Sequence, residues 1–516
     1  MLKLVLGASG SGKTTLLYAR IRARAEAGKR SILLVPEQFT SSTEARIYRE
    51  LGDALSGMVE SYSFTSLAEH ILAALGGAAV QTLTDAGRAV LVRRALEELQ
   101  DNVHYYYRHR RSAAFCQMAA ETIDELKSAG LSGQQLQELA RDCGTESAKL
   151  GELALIFQGY ESLLAGTGMD PADRLELAAD RLEAALARDE LPDFLREREV
   201  FIDEFDTFNA PKKRLMGAML AALPAVTVAL CEDGAPMQPG DLELFSGAKQ
   251  VAAQLRQLAR KNGAQVAAPE LLRRDLRHKD APGLAALTEL LETGSCTPPE
   301  SAPELRLFAA ASREEEARCA AAAIRRLMRQ GVRCGKIAVV CRDISLYRAA
   351  VRYEFRMAEI PLYCDEPTTP EFSAPATAVR ALLALLRGAD MTEQLTVLAK
   401  TGLCALSEEQ VCALENYAYT WSPNAAAWRA EFTKNPKGFG ENELTDEDTL
   451  NLTRAENARK KLVTAVDTLR SKVRSANAEQ ISRALYFCLK ELGAEGQQAA
   501  QVEDIRTARG IPAAEE

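Results

Sequence analysis

The chain opens on an apolar run, Leu2-Lys3-Leu4-Val5-Leu6, that ends at Gly7. A short run closed by glycine predicts a buried strand. From Lys13 to Ala27 the apolar positions change to helical spacing, and Gly28 supplies the stop. Ser31-Ile32-Leu33-Leu34-Val35 predicts a second strand, followed by a helical stretch around Thr43 to Leu51. A short strand near Met58 to Tyr62 and a helix from Ser66 to Leu75 come next. Such alternation predicts right-handed βαβ units on a parallel sheet. From about Thr84 to Arg188 the pattern is rich in Ala and Leu at helical spacing without a strand, which predicts an all-helical insertion. Strand patterning resumes at Glu199-Val200-Phe201-Ile202-Asp203 and at Ala225-Val226-Thr227-Val228-Ala229-Leu230.

A linker rich in Pro, Gly and Ser covers Thr293 to Pro303. Beyond it, Leu305-Arg306-Leu307-Phe308, a helix from about Glu314 to Arg329 and the run Lys336 to Cys341 predict a second α/β unit. From Ala374 onward every segment reads as helix, and no repeat of fixed period is present. The expected organisation is a first lobe of residues 1–80 and 195–295, a helical insertion 81–194, the start of a second lobe 303–372, and a helical region 373–516. Pro512 in the last residues normally opens a helix, so the natural chain is expected to continue beyond Glu516.

The most chemical of these segments joins the first strand to the first helix. Gly7-Ala8-Ser9-Gly10-Ser11-Gly12-Lys13-Thr14 is a complete G-x-x-x-x-G-K-T phosphate-binding loop in a strand–loop–helix setting. Glycines let backbone N–H groups turn inward onto phosphates, and the helix N-terminus adds positive potential. Lys13 is expected to reach the β and γ phosphates, and the Thr14 hydroxyl to hold Mg²⁺. ATP and Mg²⁺ are the cofactors this implies. At the end of a later strand, Asp203 is expected to hold the metal through its water shell, and Glu204 to polarise an attacking water. Arg342, just after Ile337–Val340, has two readings: an arginine reaching a γ-phosphate, or a solvated strand-end cation.

Composition narrows the partners. With 47% hydrophobic and 26% charged residues among 516, the chain reads as a soluble globular protein of several domains. Its net charge of −9 gives no bulk attraction to nucleic acid, so DNA contact requires a local basic patch. No stretch approaches the ~20 apolar residues that span a bilayer, and strand patterning from residue 2 leaves no signal peptide. A cytoplasmic protein without a membrane partner is expected. Its 11 cysteines lack a C-x-x-C pair and are expected to be reduced, and its 4 histidines are too dispersed for zinc.

Two segments carry candidate DNA chemistry, each with a second reading, and a third is basic. Tyr105-Tyr106-Tyr107-Arg108-His109-Arg110-Arg111 interleaves stacking surface with cations, as in single-strand binding; otherwise it is a solvated basic helix start whose tyrosines pack inward. Gln38 and Thr40, after the second strand, are candidates for backbone contacts or for simple helix capping. The run Arg273, Arg274, Arg277, His278 and Lys279 reads as a solvated loop.

Taken in order, these segments resemble one family. Leu4 to Thr14 paired with Leu33-Leu34-Val35-Pro36-Glu37-Gln38-Phe39-Thr40, then Ser61 to Ala68, Ile202-Asp203-Glu204-Phe205, Ile337 to Asp343 with Tyr347, and Ile360 to Asp365 are similar to the N-terminal part of the AddB family. These proteins are the B subunits of ATP-dependent helicase/deoxyribonucleases. The resemblance implies an α/β, P-loop superfamily 1 helicase-like fold with two RecA-like parallel-sheet lobes and large helical insertions, of the 1A, 1B, 2A and 2B type. It implies an AddA-type helicase–nuclease partner, action on double-stranded DNA ends and single-stranded DNA in recombinational repair, and scanning for Chi. A C-terminal nuclease and a 4Fe-4S cluster are implied for the full-length protein but for no residue of this chain. Two departures stand out. Cys231-Glu232-Asp233-Gly234-Ala235 replaces the Gly-Asp-x-x-Gln element of superfamily 1 helicases, and there is no room before Gly7 for an adenine-gripping glutamine. Weak ATP turnover follows, and the resemblance favours one half of a heterodimer over an autonomous helicase or a P-loop small-molecule kinase.

Overall fold

The first apolar run becomes strand β1 (Leu2–Gly7), in which every residue except Lys3 is buried. The structure is a computed structural model describing residues 1–77, 82–235, 244–364, 372–440 and 443–509. The chain divides into two compact units at Leu307 and Phe308.

In the first unit, α1 (Lys13–Glu26), β2 (Ser31–Leu34), α2 (Thr40–Leu51), α3 (Asp53–Ser56), β3 (Val59–Tyr62) and α4 (Phe64–Leu75) follow β1. Next come α5 (Asp85–Glu98), α6 (Ala113–Ser128), α7 (Gly133–Ala140), α8 (Ser147–Leu164) and α9 (Pro171–Ala187). The unit closes with β4 (Glu199–Ile202), α10 (Ala210–Ala222), β5 (Ala225–Cys231), α11 (Ser246–Lys261), β6 (Glu270–Leu272) and α12 (Pro282–Thr293). The six strands form one sheet in the order β3-β2-β4-β5-β1-β6, and each neighbouring pair is parallel. The α/β class read from the sequence is therefore present in this unit.

A parallel sheet covered on both faces needs strands apolar on both sides, which explains their unbroken hydrophobic runs. On one face Leu2, Leu4, Leu6, Ile32, Ile202 and Val228 pack with α4, α9, α10 and α11. On the other, Leu33, Val35, Phe201 and Ala229 pack against Leu17 and Ile21 of α1 and Ile47 of α2. At the start of β4, Glu199 accepts hydrogen bonds from Lys3 (2.9 Å) and Thr227 (2.9 Å), which ties β1, β4 and β5 in register.

The stretch 84–188 is helical among its described residues. Helices α5, α6 and α8 surround their own core of Val92, Leu96, Ile123 and Phe157. Helix α9 belongs elsewhere: Leu175, Ala178, Ala179 and Leu182 enter the core of the sheet. A buried polar knot joins the two cores. Lys127 of α6 donates to Asp170 (2.9 Å) and Asp173 (2.8 Å), and the Tyr160 hydroxyl of α8 donates to Asp170 (2.7 Å).

The second unit departs from expectation. It contains α13 (Arg313–Arg329), α14 (Ile344–Met357), α15 (Ala374–Leu386), α16 (Met391–Lys400), α17 (Glu408–Trp421), α18 (Ala425–Arg429), α19 (Asp446–Lys472), α20 (Ala478–Leu492) and α21 (Ala494–Arg509). The strands expected at Leu305–Phe308 and Lys336–Cys341 form no ladder among the described residues. Their hydrophobicity is strand-like, but a strand exists only through a paired neighbour. Leu307 is 100% exposed, Phe308 73% and Val340 90%, so no ladder or core takes them up. The run Ile337–Arg342 borders an open apolar cavity of about 1070 Å³, walled by α13, α14 and Ile360–Cys364. Helices α15 to α20 make a separate bundle around Trp428, Leu462 and Val466. The Pro512 helix start lies outside the described residues.

Candidate nucleotide-binding site

The loop from Gly7 to Thr14 leaves β1 at the C-terminal edge of the sheet, where open α/β sheets bind ligands. Two of its glycines use backbone angles closed to side chains: Gly10 has φ 82° and Gly12 φ 91°. Gly7 is required for space, since a Cβ there would meet Leu272 O at 2.8 Å. Lys13 begins α1, and its Nζ donates to the carbonyls of Gly7 (2.7 Å) and Ala8 (2.8 Å). Burial pushes its pKa down. Ser11 Oγ is buried and has no hydrogen-bond partner.

Two strands away, Asp203 follows β4 and is buried, with its N–H bonded to Leu34 O (3.1 Å). The Thr14 hydroxyl stands beside the Asp203 carboxylate and favours its charged form. Burial pushes the Asp203 pKa up, against the opposing pull of Thr14, the Glu204 N–H and the Lys13 charge. Glu204 is exposed and stands at φ 65°, the left-handed region that non-glycine residues rarely adopt. Its N–H donates to Asp203 Oδ1 (3.0 Å), which fixes that turn. Burial, then the Asp203 charge, raise its pKa. The arrangement thus brings Lys13, Thr14, Asp203 and Glu204 together on one sheet edge. Arg46 of α2, stacked 4.9 Å over the Tyr18 ring, adds a favourable charge to both carboxylates.

A further part of the site escaped the sequence reading. The run Arg273 to Lys279, read as a solvated loop, leaves β6 and lies on the phosphate loop. The Leu276 N–H donates to Gly10 O (3.0 Å), and Arg277 Nη1 donates to Ser9 Oγ (3.2 Å). Asp275 Oδ1 accepts the N–H groups of Arg277 (2.9 Å) and His278 (3.1 Å), while Oδ2 lies 2.9 Å from His278 Nδ1. The approach is close enough that a Cβ on Gly10 would meet Asp275 Oδ1 at 2.8 Å. The signal for this was the parallel pairing of β6 with β1, hidden because β6 is only 3 residues long.

The remaining candidates are dispersed. Gln38 is exposed in a single 3₁₀ turn (Glu37–Phe39) after β2, and the Thr40 hydroxyl is engaged locally with Glu37 O (2.9 Å). Tyr107, Arg108, Arg110 and Arg111 lie between α5 and α6, apart from the nucleotide loop in sequence and fold. Arg342 is exposed in the second unit, after Ile337–Cys341. Among the described residues, no cluster of three or more His, Cys, Asp or Glu side chains makes a metal site. No helix among them is long and apolar enough to cross a membrane.

Against known proteins, the family model described as ADDB, N-terminal, matches residues 4–288. A curated relative from Desulforudis audaxviator, named as the B subunit of an ATP-dependent helicase/deoxyribonuclease, is 30% identical over all of this chain and 46% of its own length. Proteins of the same name are 30% identical in Moorella thermoacetica, over 100% of this chain and 46% of theirs, and 27% in Clostridium perfringens, over 90% and 41%. The chain spans about half the length of the curated relatives it matches. Its strand–loop–helix and its β4 carboxylates all fall inside a family match covering more than half of its residues, and the chain belongs to the AddB family.

Proposed function

We propose that this chain is the nucleotide-binding, DNA-scanning part of the AddB half of a heterodimeric ATP-dependent helicase–nuclease that processes double-strand ends for Chi-regulated recombinational repair. One observation carries the nucleotide half: Lys13, Thr14, Asp203 and Arg277 converge on one loop at the C-terminal edge of a parallel sheet. The relatives share a name that makes each of them one subunit of an assembly. That favours a partnered role, with an AddA-type protein as the partner, over an autonomous helicase or a small-molecule kinase. In this reading residues 1–80 and 195–295 are a RecA-like lobe of the 1A type, 81–194 an insertion of the 1B type, 303–372 the start of a 2A lobe and 373–516 a 2B-type region. A cytoplasmic location follows from the DNA substrate. The nuclease and the iron–sulfur cluster belong, in this reading, to the part of the relatives that the chain does not match.

The residues present fit ATP with Mg²⁺. The Gly7 position tolerates no Cβ, Ser11 Oγ is buried without a partner, and the Thr14 hydroxyl already meets the Asp203 carboxylate. Thr14 and Asp203 would hold the ion, which supplies charge neutralisation at the β and γ phosphates. Lys13 would exchange its two carbonyl partners for phosphate oxygens, and Arg277 would add a second cation from the opposite side of the loop. Glu204, exposed and held out by its turn, would orient water and accept its proton. Gln38 and Thr40 would meet the DNA backbone at the same sheet edge.

Titration with a fluorescent ATP analogue and Mg²⁺ tests this. Binding by the wild-type chain and loss of binding by Lys13→Ala are expected. Equal affinity in a folded Lys13→Ala variant would remove the phosphate-loop assignment. Turnover by the chain alone is expected to be slow, and DNA-stimulated hydrolysis with strand separation in the absence of a partner would favour the autonomous helicase.

A further inference from the structure

The turn between α5 and α6 is built in an unusual way. Glu152 of α8 directs its carboxylate at three successive backbone N–H groups: His104 (2.9 Å), Tyr105 (2.9 Å) and Tyr106 (3.2 Å). A carboxylate bound to successive amides fixes a turn as an N-cap fixes a helix. Val103 is fully buried beneath it, and the Tyr106 ring stacks on Phe115, with centroids 5.4 Å apart at 26°. The anchors are thus Val103 and Tyr106, with Tyr107 half-buried against the helical core, while Tyr105 remains outside. Tyr105 is 51% exposed with the Lys149 ammonium 5.6 Å from its ring centroid. Tyr107 carries the Arg110 guanidinium 3.8 Å above its ring.

Charge completes the surface. Residues 102–120 include Arg108, Arg110 and Arg111 and no Asp or Glu, in a chain of net charge −9. Lys149, which pairs with Glu146 at 3.5 Å, borders the same turn. Aromatic faces stack on unpaired bases, and flanking guanidinium groups pair with phosphates. A duplex hides its base faces, so it would engage the cations but not the rings.

We propose that Tyr105, Tyr107, Arg108, Arg110 and Arg111 form a single-stranded nucleic acid site, with Glu152 as its positioning residue. This rests on the DNA part of the proposed function and is independent of the nucleotide loop. The turn holds the Tyr105 ring outward, with the half-buried Tyr107 ring fixed beside it, so stacking incurs little ordering cost. Arg110, already stacked on Tyr107, presents a planar cation beside that ring.

The test is fluorescence anisotropy of the whole chain with a labelled oligo-dT strand and with a hairpin duplex, over a range of salt. Tyr105→Ala and Tyr107→Ala are each expected to weaken strand binding about tenfold and duplex binding little. The triple Arg108/Arg110/Arg111→Ala variant is expected to weaken both and to flatten the salt slope. Glu152→Gln is expected to weaken strand binding, and adding Tyr105→Ala to it should cost less than Tyr105→Ala alone, because the ring is then already misplaced. ATP-analogue affinity should be unchanged throughout, which separates this site from the nucleotide loop. Equal losses on strand and duplex in the tyrosine variants would overturn the stacking site and leave a simple phosphate patch. Unchanged strand affinity in the folded variants would overturn the surface alone, whereas a wild-type chain that binds no DNA would overturn the DNA-scanning function with it.

Discussion

Arg277 Nη1 donates to Ser9 Oγ at 3.2 Å, joining the two ends of the first unit across its phosphate loop. The pair lies over backbone that must approach closely, since Leu276 also bonds Gly10 O. An exposed arginine held against a phosphate loop gains most when a phosphate arrives, through charge-assisted and bidentate hydrogen bonds. Arg277→Ala is therefore expected to weaken ATP-analogue binding roughly tenfold, less than the complete loss in Lys13→Ala, after allowance for solvent screening. Calorimetric titration of both variants measures this, and an unchanged Kd in Arg277→Ala would show the contact to be only a loop tether.

Asp203 makes stability depend on pH with a definite sign. Burial raises its pKa above the ordinary 3.8, so the unfolded chain loses its proton first as pH rises. Stability from this group is present below 3.8 and is lost between there and the raised value. Asp203→Asn is expected to raise the melting temperature at pH 7 without nucleotide, with the gain fading toward pH 4. With Mg²⁺ and the ATP analogue present, the variant should instead gain less than wild type. A lower melting temperature for Asp203→Asn at pH 7 without nucleotide would contradict the burial argument.

Lys127 is 8% exposed and bound to both Asp170 and Asp173. Removing one partner of a buried ion pair costs about 3–5 kcal/mol, because the charge left behind has no counterion. Lys127→Ala leaves Asp170 with the Tyr160 hydroxyl and the nearby Arg88 charge, and is expected to destabilise the first unit by up to about that amount. Lys127→Met combined with Asp170→Asn should recover part of it. Urea unfolding of the three proteins reads the difference, and a single variant as stable as wild type would show the knot to be optional.

Residues 305–308 and 337–341 should exchange their amide hydrogens within the earliest time points. No ladder bond protects them among the described residues, and Leu307, Phe308, Val339 and Val340 stand in the open; the N–H groups of Leu305 and Ile337, bonded to Ala302 O and Cys334 O, are the slower exceptions. Strands β1, β2, β4 and β5, buried on both faces, should exchange slowest of all. Mass spectrometry of exchanged peptides distinguishes the two, and comparable protection would mean that both segments find partners in solution.

The sheet was legible where burial on both faces imposes continuous apolar runs, as in Leu2–Leu6, Ser31–Val35 and Glu199–Ile202. The same signal misled at Leu305–Phe308 and Ile337–Cys341, because a hydrophobic run records a wish to be buried and says nothing of the neighbour that would bury it. Strand β6 has only three residues, with Leu271 37% exposed, so it left no period to detect. Missing it removed the one clue that Arg277 returns to Gly10. The core of α9 was equally hidden: its Leu and Ala spacing is the same whether they face the helical insertion or the sheet.

The parallel register of β1 has a consequence for how the protein is made. Leu2 pairs with Val226 and Val5 with Glu270, so β1 leaves the ribosome with neither of these partners until the insertion has followed it out. At about 5–20 residues per second, Leu2 waits roughly 10–45 s for β5 to be synthesised. Through that interval the phosphate loop exists as sequence only, while α5, α6 and α8, whose core needs nothing beyond Leu164, can already have assembled. The helices interrupting the parallel sheet are thus in a position to fold before the sheet they interrupt, and the proposed nucleotide site comes together only when synthesis of the first unit is nearly done.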